Sequence, residues 1–114
     1  MIKQQLKYDL KAGWPNNIIP RLNISAGLYK RNYKFVKIGI TTDPERRFCE
    51  HKKSHRFKWN KMVVVYRTTS IKNANEVEKW FIENRPDLVN KWTGYSNMCD
   101  SQHYYAYFLL GNLK

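Results

Sequence analysis

The segment that decides the fold spans residues 61–84 and reads KMVVVYRTTSIKNANEVEKWFIEN. Its first part, residues 61–68, is rich in β-branched and aromatic side chains, which predicts a strand. Ser70 is a favourable helix N-cap, and Pro86 cannot continue a helix. The sequence therefore predicts a helix over residues 71–84, directly after the clearest strand of the chain.

Glu78 lies on the edge of the apolar stripe of this predicted helix. The stripe consists of Ile71, Ala74, Val77, Phe81 and Ile82. Glu78 follows Ala74 by four residues and precedes Ile82 by four, so it shares their side of the helix. A carboxylate on an inward edge is unfavourable unless it is paired, hydrogen-bonded or bound to a metal. The spacing is compatible with two roles for Glu78: an ion pair with Lys or Arg, or a metal ligand.

Two further strands and a helix are predicted upstream. SAGLYK at 25–30 and FVKIGI at 35–40 have the composition of strands, with turn residues between them. Asp43 is a favourable N-cap and Pro44 fits the first helical position. A helix is therefore predicted over residues 44–54.

The two ends of the chain are less regular than its middle. Residues 1–24 form a basic and aromatic arm that is predicted to be extended or partly helical. Residues 25–92 form the predicted core, and residues 93–114 an aromatic extension that packs on the core or at an interface. In this extension YYAYFLL, residues 104–110, fits a strand or a helix. Its aromatic rings could also stack on unpaired bases, although core packing is the more common role.

The charge of the chain indicates a polyanionic partner. Lys and Arg number 21 against 9 Asp and Glu, which gives a net charge of +12 in 114 residues. Nucleic acid is the first candidate, because neutralising phosphates releases counterions. A membrane surface is a weaker candidate, because no helix combines a basic face with an opposite apolar face. The predicted nucleic-acid-binding residues are Lys30, Arg46, Lys52, Lys53, Arg56 and Lys58.

The sequence also predicts an intracellular, cytoplasmic protein. The first residues contain no apolar region typical of a signal peptide, and no window is apolar enough to span a membrane. The two cysteines, Cys49 and Cys99, do not suggest a disulfide framework. Cys49 and His51 point to different sides of the predicted helix, so a zinc site is disfavoured. A homodimer and a monomer are both compatible with these features.

The predicted helix at 44–54 carries a basic face near its N-terminus. Arg47, His51 and His55 follow one another at intervals of four residues and therefore lie on one side. The N-terminus of a helix favours anions, and an arginine side chain can bind phosphate with two hydrogen bonds. The pattern fits a phosphate site, with a solvated basic face as the alternative.

The order of these motifs resembles that of the GIY-YIG nuclease domain. GLY at 27–29 and KIG at 37–39 are followed by Arg47, Glu78 and Asn90. The resemblance implies an α+β fold with a small central three-stranded antiparallel sheet flanked by helices, and metal-dependent cleavage of nucleic acid. Lys37 departs from the family pattern, in which tyrosine is usual. The KIG variant is similar to phage-type and restriction-type members, which implies a phage or bacterial source.

By this resemblance the catalytic residues are Tyr29, Lys37, Arg47, His51, Glu78 and Asn90. Glu78 would bind one Mg²⁺ or Mn²⁺ ion, for which a single carboxylate with waters and substrate oxygens suffices. Arg47 and Lys37 would hold the non-bridging phosphate oxygens.

The remaining roles follow from the same resemblance. Tyr29 would accept a proton from the attacking water, Asn90 would brace the site, and His51 stands where some members carry a histidine. In-line attack would leave a 5′-phosphate. The resemblance thus implies an endonuclease that acts on DNA. The alternatives are an inactive nucleic-acid-binding module on the same fold and a basic adaptor for an acidic protein.

Overall fold

A computed structural model describes residues 6–53, 57–88 and 102–113, which form an α+β unit with four strands and three helices. The elements in chain order are β1 (Leu6–Lys11), α1 (Pro15–Asn32), β2 (Phe35–Thr41), α2 (Pro44–Lys52), β3 (Phe57–Thr68), α3 (Ile71–Asn84) and β4 (Tyr104–Leu113).

The prediction of a three-stranded antiparallel sheet is wrong, because the sheet has four strands and is mixed. Its four strands lie in the order β1, β3, β4, β2. Strand β4 is antiparallel to both of its neighbours, whereas β1 is parallel to β3, so the sheet is mixed. The nearly continuous apolar run of β4 suits a central strand that is covered on both faces. Strand β4 is therefore a central strand of the sheet.

The strand predicted at 25–30 is also wrong, because these residues form the second half of α1. Pro15 occupies the first turn of this helix, where a missing N–H is tolerated. Ile18, Leu22 and Ala26 follow at helical spacing and are all buried. This buried stripe outweighs the local strand preference of the segment around Tyr29, since packing regularly overrides propensity.

The other predicted elements are confirmed to within a few residues. Both predicted helix starts carry the expected caps: Asp43 Oδ1 accepts a hydrogen bond from the Arg46 N–H at 3.2 Å, and Ser70 Oγ accepts one from the Asn73 N–H at 3.2 Å. Helix α3 spans the predicted residues 71–84. None of the described helices is long and apolar enough to cross a membrane.

Two apolar clusters pack against opposite faces of the sheet. Core A lies beneath α1 and α3 and comprises Ile18, Leu22, Ala26, Val36, Ile38, Ile40, Val63, Val65, Tyr66, Ala74, Val77, Phe81, Leu88, Tyr104, Ala106, Phe108 and Leu110. Core B lies beneath α2 and comprises Phe48, Trp59, Met62, Val64, Tyr107 and Leu109. Alternate residues of β2 and β4 face these two clusters, as the pleat of a strand requires.

Candidate functional site

Five polar side chains from four elements lie near α2 and the edge strand β2, close enough to influence one another's ionisation. They are Lys37 of β2, Arg47 and His51 of α2, Glu78 of α3 and Tyr107 of β4, and together they are called the polar cluster below. Four of the six residues predicted to be catalytic belong to it. The fifth member, Tyr107, is not among the residues predicted to be catalytic.

Tyr107 is the buried centre of the polar cluster. The exposed fraction of this residue is 1%. The Tyr107 hydroxyl lies 2.9 Å from His51 Nε2, and the Arg47 guanidinium donates a hydrogen bond to the same hydroxyl oxygen. Burial raises the pKa of Tyr107 to about 12, although Arg47 opposes the shift, so the phenol is neutral. Its own O–H is therefore free to be donated to His51.

Gly39 allows Tyr107 to reach α2. The two residues are partners in the register of β2 and β4. A Cβ atom on Gly39 would lie 2.9 Å from Tyr107 Cε1 and closer still to the hydroxyl oxygen. Any larger residue at this position would collide with the ring. The glycine of the KIG motif therefore leaves the space in which the phenol crosses β2.

His51 is held in its neutral form. Its pKa is lowered to about 4, first by burial and then by the nearby charges of Lys37 and Arg47. A neutral imidazole can accept the Tyr107 O–H at Nε2 and carry its proton on Nδ1, and the hydrogen-bond network assigns this tautomer. His51 thus adds no charge to the cluster at neutral pH.

Lys37 and Glu78 are both partly buried, and each alters the charge balance of the other. Burial raises the pKa of Glu78, while Lys37 and Arg47 act in the opposite direction. Burial and the charge of Arg47 lower the pKa of Lys37, which Glu78 partly restores. Two cations thus lie beside one partly buried carboxylate, and Glu50 balances the charge of Arg47 at the surface. Displacement of Glu50 would leave an excess of positive charge, which favours an anion.

The Glu50 carboxylate bridges the side chains of Arg46 and Arg47 at the surface. Glu50 Oε1 lies 3.1 Å from Arg47 Nη1, and Glu50 Oε2 lies 3.3 Å from Arg46 Nη1. The exposed fractions of these side chains are 64% for Arg46, 46% for Arg47 and 45% for Glu50, so water screens the ion pairs and they contribute little to stability. Replacement of the Glu50 carboxylate by another anion, such as a phosphate, therefore costs little free energy.

Tyr29 and Asn90 are not brought to the polar cluster by the described structure. Tyr29 lies on α1 and packs against core A, with its ring centroid 5.7 Å from that of Phe108 in an edge-to-face contact. Burial and the charge of Asp9 raise the pKa of Tyr29. Its phenolate is therefore disfavoured. Asn90 lies outside the described residues.

The predicted nucleic-acid-binding residues are spread over two elements. Arg46, Lys52 and Lys53 lie on or just after α2 and are exposed, and Lys52 Nζ lies 5.4 Å from the centroid of the Phe48 ring. Lys30 lies at the end of α1, where its ammonium donates a hydrogen bond to the Lys34 carbonyl at 3.1 Å.

The other two predicted nucleic-acid-binding residues are Arg56 and Lys58. Arg56 and the side chain of Lys58 lie outside the described part of the structure. The exposed cations of α2 therefore define the basic surface next to the polar cluster.

Tyr107 is a site residue that was not predicted. The sequence pattern indicated only that Tyr107 is one of several aromatic residues in the core or at an interface. The available signal was the alternation of Tyr105, Tyr107 and Leu109 once 104–110 is taken as a strand, together with Gly39 on a neighbouring strand. The pairing of β4 with β2, on which that signal depends, is a long-range contact that local patterns do not specify.

The polar cluster suits only a lightly coordinated metal ion. Within residues 6–53, 57–88 and 102–113, no group of three or more His, Cys, Asp and Glu side chains is close enough to hold a metal. A single partly buried carboxylate, Glu78, fits Mg²⁺ or Mn²⁺, which keep several waters and take further oxygens from a phosphate substrate. It does not fit zinc, which requires three or four protein ligands.

Comparison with known proteins identifies the family. The chain matches the family model of the T5orf172 domain over residues 24–85, which is more than half of its length. This is a distinct family from the GIY-YIG nucleases, so the GIY-YIG identification is wrong. The T5orf172 domain is phage-associated and nuclease-like, and is compatible with interaction with nucleic acid. No curated protein and no solved structure matches the chain significantly.

Proposed function

Because the chain belongs to the T5orf172 domain family, we propose that it is a metal-dependent endonuclease that hydrolyses phosphodiester bonds, with DNA as its substrate. The observation that carries this proposal is the polar cluster. Lys37, Arg47 and Glu78 come from three separate elements and lie beside a neutral histidine, at the edge of an exposed basic surface. Ionisable groups whose pKa values are shifted by burial and by neighbouring charges cluster at functional sites, which supports the proposal.

The first step is capture of the scissile phosphate by the two cations. Arg47 can offer its guanidinium to two non-bridging oxygens, after Glu50 has been displaced. Lys37 adds a second positive charge from the sheet side, where partial burial strengthens its electrostatic effect. Charge that develops on the phosphoryl oxygens during attack is then stabilised by groups that are already in place.

Glu78 is the residue that would hold the metal ion. A bound Mg²⁺ or Mn²⁺ would supply stabilisation of negative charge on the leaving 3′ oxygen. The Glu78 carboxylate must be ionised for this role, and the neighbouring Lys37 and Arg47 favour the ionised form against the effect of burial. Cleavage is therefore expected to fall at acidic pH, as Glu78 takes up a proton.

His51 is the proton acceptor that the geometry favours over Tyr29, provided that the Tyr107 O–H turns away from His51 Nε2 when substrate binds and so leaves that lone pair for the proton of the attacking water. It is neutral and belongs to the polar cluster, whereas Tyr29 packs on core A with a raised pKa. The basicity of His51 is low in the free protein because two cations lie nearby. A bound phosphate anion offsets these cations and raises the pKa of the imidazole. The site thus becomes a better base when substrate binds.

Cleavage of plasmid, duplex, branched and single-stranded DNA with and without Mg²⁺ or Mn²⁺ tests the proposal. Glu78→Gln should reduce metal-dependent cleavage by about 100-fold or more while binding persists. Glu83→Gln, which changes an exposed carboxylate of the same helix, is the matched control and should cleave normally. Cleavage by Glu78→Gln at the wild-type rate would contradict the assignment.

Lys37→Met tests the second cation, since it keeps the length of the side chain and removes the charge. The single-turnover rate at saturating DNA should fall by roughly 100-fold. Lys79→Met removes an exposed charge from α3 and should have little effect. A loss of affinity without a loss of rate would make Lys37 a binding residue only.

A second candidate function is a nucleic-acid-binding module without catalytic activity. This alternative is favoured by the fact that Glu78 is the one carboxylate of the polar cluster and lies near two cations, Lys37 and Arg47, with which it can form ion pairs. This module would bind DNA with an affinity that falls with salt, at a log–log slope of about −0.9 for each phosphate neutralised. It would cleave none of the DNA substrates with either metal, and Glu78→Gln would leave all its properties unchanged.

A further inference from the structure

A groove lies between the beginnings of α1 and α3, at the end of β3. It has a volume of about 510 Å³, and its lining includes Trp14, Asn16, Thr69, Ser70 and Lys72. A second cavity of about 310 Å³ shares Thr68 and Thr69 with it and extends it toward Arg67. None of these residues belongs to the polar cluster. The two neighbouring cavities, called the groove below, are lined mainly by polar side chains, with Lys72 and Arg67 as cations and Glu76 as a carboxylate.

Trp14 is the unusual member of this groove. The exposed fraction of this residue is 70%, although a tryptophan normally buries most of its large apolar surface. Because the indole lines a cavity, its exposed apolar surface is available to a ligand. Its planar face suits another flat aromatic group.

The backbone around Trp14 is fixed on both sides. Its carbonyl accepts hydrogen bonds from the Asn17 N–H at 2.9 Å and the Ile18 N–H at 3.1 Å. The preceding Gly13 carbonyl accepts a hydrogen bond from the Tyr66 hydroxyl at 2.6 Å. The main chain that carries the indole is therefore held in place, so that binding of a ligand has only the side chain to order.

Lys72 supplies the charge that complements this aromatic surface. It is exposed in the first turn of α3 and lines the same groove as Trp14. Thr69 and Ser70 add hydroxyl groups between them. An aromatic face, a cation and hydrogen-bonding groups in one groove match the base, phosphate and sugar of a nucleotide.

We propose that this groove binds an unpaired nucleotide of single-stranded nucleic acid, with its base stacked on Trp14 and its phosphate beside Lys72. The inference rests on the proposed function to the extent that both require nucleic acid as the partner. It differs in the site and in the form of the substrate. Bases within a duplex are already stacked on their neighbours and cannot cover Trp14, so the groove favours single strands.

Binding of a fluorescent oligothymidylate of about ten nucleotides, followed by anisotropy, tests the stacking contact. Trp14→Ala should weaken binding about tenfold, whereas Trp14→Phe should retain most of it because it keeps an aromatic face. Leu28→Ala, which truncates an exposed apolar residue near the other end of α1, is the control and should bind normally. Equal binding by Trp14→Ala and the wild type would overturn the inference, as would equal losses in Trp14→Ala and Trp14→Phe.

Lys72→Ala tests the phosphate contact, with Lys79→Ala on the same helix as its control. Lys72→Ala should reduce the log–log salt slope of oligothymidylate binding by about 0.7, the value for one phosphate contact on a single strand. Lys79→Ala should leave the slope unchanged. Identical slopes for the two variants would overturn the assignment of the phosphate to this groove.

Duplex cleavage by the same variants separates this inference from the proposed function. Trp14→Ala should cleave duplex DNA at the wild-type rate, because Trp14 lies outside the polar cluster. If the wild type binds oligothymidylate through Trp14 but cleaves nothing, the groove stands and the endonuclease proposal fails. If it cleaves duplex DNA but binds oligothymidylate independently of Trp14, the groove inference fails alone.

Discussion

The two faces of the sheet are covered in very different ways. Core A lies beneath α1 and α3, two helices of 18 and 14 residues, and its members are almost all apolar. Core B lies beneath α2, a helix of nine residues, and is much smaller. On the core B face, ionisable side chains of the sheet and of a helix come together at Lys37, Arg47 and His51.

The contrast indicates a division between stability and chemistry. Apolar burial on core A is a favourable term that needs no specific partners. On the other face a short helix leaves charged groups at the border of the apolar cluster, where they are partly desolvated but remain reachable by a ligand. Their pKa values are shifted for that reason.

Truncation in core A should have the largest effect on stability. Phe81 is fully buried and its ring centroid lies 5.5 Å from that of Phe108. Phe81→Ala should lower the free energy of unfolding by about 3–5 kcal/mol, measured by urea denaturation. Leu28→Ala, at an exposed position of α1, should change it by less than about 0.5 kcal/mol. A loss below about 1 kcal/mol for Phe81→Ala would break the contrast between the two faces.

The two glycines Gly39 and Gly27 should respond to alanine with opposite signs. A Cβ on Gly39 collides with Tyr107, so Gly39→Ala should destabilise the protein by about 1–3 kcal/mol and displace the polar cluster. A Cβ on Gly27, within α1, meets no atom within 4 Å. Gly27→Ala should therefore stabilise the protein by about 0.5–1 kcal/mol. Thermal unfolding of both variants is the measurement, and effects of equal sign would contradict the packing described for Tyr107.

The lowered pKa of His51 makes stability depend on pH. Below about pH 6.5 the unfolded chain protonates this histidine, whereas the native protein does so only near pH 4. The free energy of unfolding should therefore decrease as the pH falls through this window, by about 1–2 kcal/mol once solvent screening is allowed for. His51→Gln cannot titrate but can still bond Tyr107, so it should lack this component. An unchanged pH dependence in the variant would show that His51 is not desolvated.

Two buried tyrosine hydroxyls give the smallest and most discriminating test. Tyr107→Phe removes the bond to His51, and Tyr66→Phe removes the bond to Gly13. Each should lower the free energy of unfolding by about 0.5–1.5 kcal/mol.

Only the change at Tyr107 should also affect the polar cluster. Loss of the O–H that favours neutral imidazole should raise the pKa of His51, measured by NMR titration. Tyr66→Phe is the control, because its hydroxyl bonds the loop before α1 instead. The same His51 pKa in both variants would show that Tyr107 does not hold the tautomer.

Local features of the chain could be predicted because they depend on neighbours in sequence. The caps at Asp43 and Ser70 satisfy backbone N–H groups three residues away, so a short motif contains the whole interaction. The position of Glu78 at the border of an apolar stripe follows from helical spacing alone. The grouping of Arg47 with His51 on one side of α2 has the same origin.

The wrong predictions concern segments whose state is set by distant partners. Residues 25–30 were predicted as a strand from composition, but Leu22 and Ala26 pack beneath α1 against the sheet and make this segment helical. The sheet was predicted with three strands, because nothing local indicates that β4 inserts between β2 and β3. Both errors arise where tertiary burial outweighs local preference.

The sequence by itself determined the charge, the helix caps, the buried stripe of α3 and the residues that could bind a phosphate. Only the tertiary structure decided that Tyr107 links Arg47 to His51, that Tyr29 belongs to core A, and that Trp14 borders a groove. Caps and stripes are governed by interactions over three or four residues, which the sequence displays directly. The others depend on strand order and on packing between residues far apart in the chain, where many arrangements satisfy the same local pattern and the burial of the whole sheet selects one.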